Sequence, residues 1–445
     1  MKTKIVFVNH ASVIIKGSGI SILSDPWFRG DAFNKGWRLL HQTSDEEVNQ
    51  ILDTVTHIWI SHEHPDHFSI LFFKSFSKKI KDNGIKLLFQ STKDKRVVNF
   101  LKSIGHNVME LRFNQEKILN DNFSVTCIKD GFYDSGLLIK NGTEKILNLN
   151  DCEVTTQQRA DEVLNITSNI DVLLTQFSFA AWKGGKDNIK WRNEAAKEKL
   201  NTMELQINKF KPNYVIPFAS FIYFSNQENK YLNDAINTPQ KVLEKFKNTE
   251  SNIIFMKPGD EFNPTGPELN VEDAISFWQD KYDILDTNTY TSFDEIPLPK
   301  IKESFLIYCE RIRKNNSIRL IKVLRNLSPI PFFQPVIVHL SDLNQTVEVD
   351  YVSEVLIKSQ KVPMITMSSE SLNFIFKNPF GFDTLTVNAC FEEGRKGGFV
   401  SATKTLAIEN LNNMGIPISI KTLFNFSIIK LFLTRLYRVA RKLDA

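Results

Sequence analysis

Three imidazoles and a carboxylate stand within six residues, His62-Glu63-His64-Pro65-Asp66-His67. Neutral imidazole and carboxylate suit zinc, and suit iron or manganese nearly as well. His62 and His64 are two apart, so on an extended segment both rings leave on the same side and can hold one ion. Asp66 and His67 lie past a bend stiffened by Pro65 and face a second position beside the first. A polar loop that gathers these groups by chance is the competing reading. The full H-x-H-x-D-H pattern is far more specific than any lone histidine.

The elements that must position these groups lie on either side. Thr56-His57-Ile58-Trp59-Ile60 is an apolar run of strand length and reads as a buried strand. Helical spacing follows from Asp66 to about Ile80, carried by Phe68, Leu71, Phe72 and Phe76. The cluster therefore sits on a strand-to-helix turn, where open α/β sheets place ligands. Lys4–Asn9, Ser12–Lys16 and Ile20–Ser24 read as three short strands. Lys86–Gln90, Phe123–Ile128, Gly136–Lys140 and Glu144–Asn150 read as further strands, with helices at Glu46–Leu52, Asp94–Ile104, Thr155–Leu164 and about Arg192–Phe210.

H-x-H-x-D-H after a hydrophobic strand resembles the signature of the metallo-β-lactamase superfamily. Asn9-His10-Ala11-Ser12-Val13-Ile14-Ile15 and Leu23-Ser24-Asp25-Pro26-Trp27 resemble the opening of its lactonase and N-acyl phospholipid phospholipase branch. Leu147-Asn148-Leu149-Asn150-Asp151-Cys152 and Val215-Ile216-Pro217-Phe218-Ala219-Ser220 bring the resemblance closest to the hydrolase-like portion of CMP-sialic acid hydroxylases. It covers residues 1–265. It implies an α/β fold, the four-layer αββα sandwich, with one or two divalent metal ions at its edge: zinc, iron or manganese.

The resemblance also implies roles. Asp25 supports the metal-binding turn. Asp151 is the carboxylate able to bridge two metals, against a reading as a helix N-cap. Asp66 orients or deprotonates the attacking water, and His10 is a catalytic or substrate-contacting histidine, against a structural one. Two departures stand out. The family has a histidine where this chain reads Lys129-Asp130-Gly131-Phe132-Tyr133-Asp134, and a late one where it reads Pro217-Phe218-Ala219-Ser220. Asp130 is the expected replacement for the first, against a plain Asp-Gly turn. The expected metal ligands are then His62, His64, Asp66, His67, Asp130 and Asp151. A shell this rich in oxygen leans from zinc towards iron or manganese.

Lys183-Gly184-Gly185-Lys186 could hold a phosphate by backbone N–H groups and charge, against a solvated loop. Lys183, Lys186 and Tyr223 are the expected substrate contacts. The domain reading is a metal-binding domain at 1–265, a helical linker at 266–325 and an α+β domain at 326–445, loosely resembling sterol-carrier-like modules. In the last, Val336–Leu340, Thr346–Tyr351 and Leu385–Phe391 read as strands and Ser369–Phe376 as a helix. From Lys421 to Ala445 a basic amphipathic helix is expected, either docked on its own domain or contacting a membrane surface or partner.

A net charge of +4 is too weak to argue for nucleic acid. The four cysteines are far apart with no C-x-x-C pair, as in a reduced compartment. Lys2-Thr3-Lys4 runs directly into a strand, so no signal peptide and a cytoplasmic location are expected. Function is expected to be metal-dependent hydrolysis of a phosphorylated, acylated or sugar-containing small molecule. The alternatives are a non-haem iron oxygenase or oxidase acting on a sugar, nucleotide-sugar or lipid, and a non-catalytic binding protein. No paired Cys-x-His segments of a Rieske domain occur, so an oxygenase would need a separate electron-transfer protein.

Overall fold

The computed structural model describes residues 2–267 and 269–423. Two seven-stranded sheets form the first 262 residues. One runs in the order Glu261–Phe262, Lys4–Asn9, Ser12–Gly17, Ile20–Ser24, His57–Ile60, Lys86–Gln90, Val108–Leu111. The other runs Asn252–Ile253, Tyr214–Phe218, Val172–Gln176, Glu144–Asn150, Ser135–Asn141, Phe123–Lys129, Glu116–Asn120. Side chains of both sheets, among them Phe7, Val13, Ile15, Leu137, Leu147 and Val215, belong to one core. A second core lies between the first sheet and its helices, built from Val48, Leu52, Ile58, Phe72 and Leu101. Ala160, Val163, Met203 and Ile207 on helices cover the other sheet. This is the four-layer αββα sandwich.

The continuous burial of the motif strand has a topological cause. His57–Ile60 pairs in parallel on both sides, with Ile20–Ser24 and Lys86–Gln90, and all four residues are buried. Strands covered on both faces read as unbroken apolar runs. The parallel strands of the two sheets end at one edge, in Asp25, Ser61, Gln90, Asp151, Gln176 and Ala219. That edge is the ligand-binding edge of such sheets.

Several expected elements shift. The helix from Asp66 is a turn followed by two short helices, Ile70–Ser75 and Ser77–Asp82. Leu385–Phe391 is not a strand: Gly381–Asn388 is helical, its Phe382 and Leu385 reaching a separate core with Phe305, Tyr308 and Val338. Tertiary packing there overrides the β-branched composition. A five-stranded sheet, Val355–Lys358, Gln345–Asp350, Val336–Leu340, Ile365–Met367, Glu392–Glu393, completes this α+β region. The stretch read as a linker is divided between cores. Helix Val271–Asp283 sends Trp278 against Phe7 and Phe221, while Leu298–Asn315 and Ile318–Leu327 bury Ile301, Phe305 and Ile321 in the second region. Apolar faces on these helices could not stay solvated. The amphipathic tail expected at 421–445 lies outside the described residues from 424 onward.

Candidate metal centre

Ser61 and Asp25 hold the motif before any metal does. Asp25 is fully buried and accepts from Ser61 N at 2.7 Å, Ser61 Oγ at 2.8 Å and Asn150 Nδ2. His67 Nδ1 lies 3.1 Å from its Oδ2. That contact leaves His67 Nε2 turned the other way, 3.2 Å from both Asp66 Oδ2 and Asp151 Oδ1. A buried carboxylate on the far ring nitrogen is the usual support of a metal-binding histidine. Ser61 Oγ lies 2.8 Å from His62 Nδ1, so His62 Nε2 also faces inward, 3.5 Å from Asp134 Oδ1 and 3.9 Å from Asp151 Oδ2.

The donors gather in three overlapping groups: His62, His64 and Asp134; His62, His67 and Asp151; and His10, Asp66 and His67. Within each, the ligand atoms lie within 4.8 Å of one another. His10 Nδ1 and Nε2, Asp66 Oδ1 and Asp134 Oδ1 are buried without a hydrogen-bond partner. Buried polar atoms are rarely left so, and cations placed among these donors would satisfy them. The electrostatics point the same way. Burial opposes charge on His67, yet Asp151 and Asp66 hold its pKa well above the usual range. Asp66 and Asp151 are in turn held well below the carboxylate range, against their burial, chiefly by His67. The carboxylates thus draw positive charge towards this point. His62 is pushed well down by burial and by His67 and His64.

One expected role is corrected. Asp130 accepts from Glu153 N at 2.7 Å and pairs with Arg159 Nε at 3.0 Å. Both oxygens are engaged away from the imidazoles, so Asp130 clamps the turn that carries Asp151. Asp134, across the same hairpin through Asp130 N to Asp134 O at 2.9 Å, gathers with His62 and His64 instead. Burial pushes its carboxyl up to about 7, the neighbouring Asp151 and Asp130 adding to the rise and His64 opposing it. His10 gathers with Asp66 and His67. Ala219 N donates to His10 O at 2.7 Å, which pins His10 to the segment where the family's late histidine is missing. Its Nε2 comes 3.5 Å from Asp66 Oδ2.

The expected substrate contacts separate. Tyr223 lies on strand Ile222–Phe224 and faces Arg38 and Tyr290. Its neighbour Ile222 faces the site, because successive side chains alternate. Lys186 sits by Glu392 and Glu228. Its backbone N donates to Glu392 Oε2 at 3.3 Å, so the glycine loop does hold an anion, the chain's own. Lys183 is half-buried near Glu198 and Glu153. A cavity of about 20 Å3 opens beside the donors, bounded by His10, Asp66, Asp151 and Gln176 and walled by Trp37, Phe179 and Ile222. Gln176 Nε2 donates to Asp151 Oδ1 at 2.5 Å. Helix Gly381–Asn388 closes the opposite side. Asn388 Nδ2 donates to Phe33 O at 3.0 Å, and the Phe33 ring lies 5.9 Å from that of His64.

Residues 4–176 match the family model described as a beta-lactamase superfamily domain. This region belongs to the metallo-β-lactamase superfamily. The chain is also similar to cytidine monophosphate-N-acetylneuraminic acid hydroxylases. It is 23% identical over 272 residues to that of Danio rerio, covering 57% of this chain and 44% of the relative. It is 25% identical over 249 residues to that of Cricetulus griseus, covering 52% and 42%. The chain thus spans less than half the length of these relatives. Among solved structures, CmlA, a diiron β-hydroxylase from Streptomyces venezuelae, is 13% identical with a TM-score of 0.41, covering 59% of this chain and 54% of that one. An isothiocyanate hydrolase from Delia radicum gut bacteria is 15% identical with a TM-score of 0.42, covering 58% and 98%. Among the described residues no helix is long and apolar enough to cross a membrane.

Proposed function

We propose that the protein is a metal-dependent hydrolase of a phosphorylated, acylated or sugar-containing small molecule, working at a two-metal centre. His62, His64 and Asp134 would hold one ion, His10, Asp66 and His67 the other, with Asp151 between them. Divalent ions there supply Lewis acidity, lowering the pKa of bound water to about 7 and polarising a phosphoryl or acyl oxygen. The observation that carries the reading is the cavity of about 20 Å3 against His10, Asp66 and Asp151. It has room for one water, beside an Asp66 oxygen with no other partner. Asp66 orients that water through its free oxygen. Gln176 fixes Asp151, and Asp25 fixes the ring of His67. Trp37, Phe179 and Ile222 exclude bulk water.

A second reading, iron-dependent oxidation of a sugar, nucleotide-sugar or lipid, draws support from Asp134. A carboxylate replaces a family histidine, and oxygen-rich shells favour iron or manganese. The similarity to hydroxylases agrees with it, and the reaction would then need a separate electron-transfer protein. Metal analysis of protein purified without added metal separates the two. About two zinc ions per chain with turnover of chromogenic phosphodiesters or esters supports hydrolysis. Iron with substrate-dependent oxygen uptake supports oxidation, and a chain that takes up no metal overturns both.

A further inference from the structure

The turn from Ala32 to Trp37 stands between the metal centre and the α+β region. It closes on itself, Ala32 N donating to Trp37 O at 3.0 Å and Trp37 N to Ala32 O at 3.1 Å. Phe33, Asn34 and Lys35 follow one another in left-handed backbone, at φ 50°, 52° and 61°. L-residues visit that conformation singly, and a run of three that includes a phenylalanine persists only where its surroundings over-determine it. Asn388 Nδ2, at the end of helix Gly381–Asn388, donates to Phe33 O at 3.0 Å. Asn229 Nδ2 donates to Gly36 O at 2.9 Å and to Asn388 O at 2.7 Å, so it ties the turn to the helix end. Lys35 Nζ pairs with Glu370 Oε2 at 2.9 Å. Both asparagines are buried, and Gly36 has no room for a side chain because Asn388 fills it.

The other side of the turn meets the donors. The Phe33 ring packs edge-on against that of His64, with centroids 5.9 Å apart. It also packs against Trp37 at 4.5 Å, and Trp37 walls the cavity beside His10 and Asp66. His64 needs such a contact more than its neighbours do. His62 and His67 have their far ring nitrogens held by Ser61 and Asp25. His64 Nδ1 faces His62 Nε2 at 2.8 Å, and among the described residues no hydrogen bond holds its Nε2. An imidazole ligand without a hydrogen-bonded support is left to packing for its orientation. We propose that Asn388 is a positioning residue of the metal centre. It holds the Ala32–Trp37 turn, the turn holds Phe33 against His64, and the α+β region thereby sets the ring that offers Nδ1 to the ion of His62, His64 and Asp134. The α+β region is then a working part of the centre and not an appended module. The effect on metal rests on the metal-centre reading above; the effect on the ring does not.

The test uses the full chain, metal-free and metal-loaded. Mass spectrometry of slow hydrogen exchange at the carbon between the ring nitrogens reads each histidine ring without metal. In Asn388→Ala, His64 exchanges faster than in wild type, while His62 and His67 keep their rates. In metal titrations the ion at His64 is held about tenfold more weakly, the lower end of what losing a ligand's support costs, and the ion at His67 is held as before. Glu370→Gln weakens the Lys35 tie, moves both readouts the same way by less, and serves where Asn388→Ala does not fold. Asn373→Ala removes the acceptor of Ser304 Oγ, 2.7 Å away inside the α+β region, and lowers stability without moving either readout. Wild-type exchange at His64, or wild-type affinity for its ion, in Asn388→Ala overturns the proposal. So does an equal change in Asn373→Ala, since Asn388 would then only stabilise. A wild-type chain that takes up no metal overturns the metal-centre reading, and the exchange rates alone then decide the positioning role.

Discussion

His64 and Asp134 stand at the open side of the centre, while His10, Asp66 and His67 stand inside it and the buried His62 lies between. Side-chain exposure is 24% for Asp134, but only 3% for His10 and 4% for Asp66. The inner group is also the better braced, through Asp25 on His67 and Ala219 on His10. The outer group leans on a hairpin and on Phe33, which the α+β region holds through Asn388. The same six-residue motif thus feeds one position set by the sandwich and one set partly by its neighbours. The inner position is expected to bind first and tightest.

The largest effect that would test this contrast is loss of an inner ligand. His67→Ala removes the inner ion altogether and leaves at most one metal per chain by elemental analysis; two metals per chain in that variant would erase the distinction. Asp25→Ala touches no metal, yet should weaken inner affinity about 10–100-fold, the usual cost of losing such a support. Competition with a chelator measures it, and the outer ion should change less.

Asp134 sharpens the outer half. In the metal-free protein its carboxyl is raised to about 7, so a proton competes with the outer ion below that pH. Outer affinity should climb as pH rises towards about 7 and then level. The sign for stability is the reverse. A raised folded-state value gives the metal-free protein a contribution that is complete below the ordinary carboxylate range and is lost as pH rises through about 7. Asp134→Asn should weaken outer binding and flatten both profiles in metal titrations and melting curves. Asp130→Asn should leave the pH dependence in place and cost about 1–3 kcal/mol of stability, through its lost pairing with Arg159. The smallest effect lies at the border with the α+β region. Gly36→Ala would set a methyl 2.4 Å from Asn388 Cβ, shifting Phe33 and lowering outer affinity while sparing the inner ion.

The inner and outer halves also differed in how far they could be read from the chain. Four inner and outer donors sit in one local motif, where spacing alone places them, and Asp151 follows from its position after a strand. His10 and Asp134 join the donor groups from other places in the sequence, which no local pattern reports. Asp130 invites the ligand reading because it follows the strand that carries a histidine in the family, although Asp130-Gly131 is a turn signal and Gly131 has a positive φ. Asp134, the last residue before strand Ser135–Asn141, was the better position by hairpin geometry. Helix Gly381–Asn388 carried a misleading signal, since its apolar, β-branched run packs against a core assembled from distant segments.

Four residues at the centre adopt left-handed backbone angles without being glycine: His10 at φ 23°, Asp25 at 38°, Asn150 at 49° and Ala219 at 51°. Each such residue costs on the order of 1–3 kcal/mol and persists only where its surroundings over-determine it. Three of them need their side chains for the site, but Ala219 contributes only its backbone N–H to His10. Ala219→Gly would therefore relax the fold without removing a functional group. The protein has a route to greater heat tolerance that runs through the edge carrying its donor groups, at the expense of a looser His10.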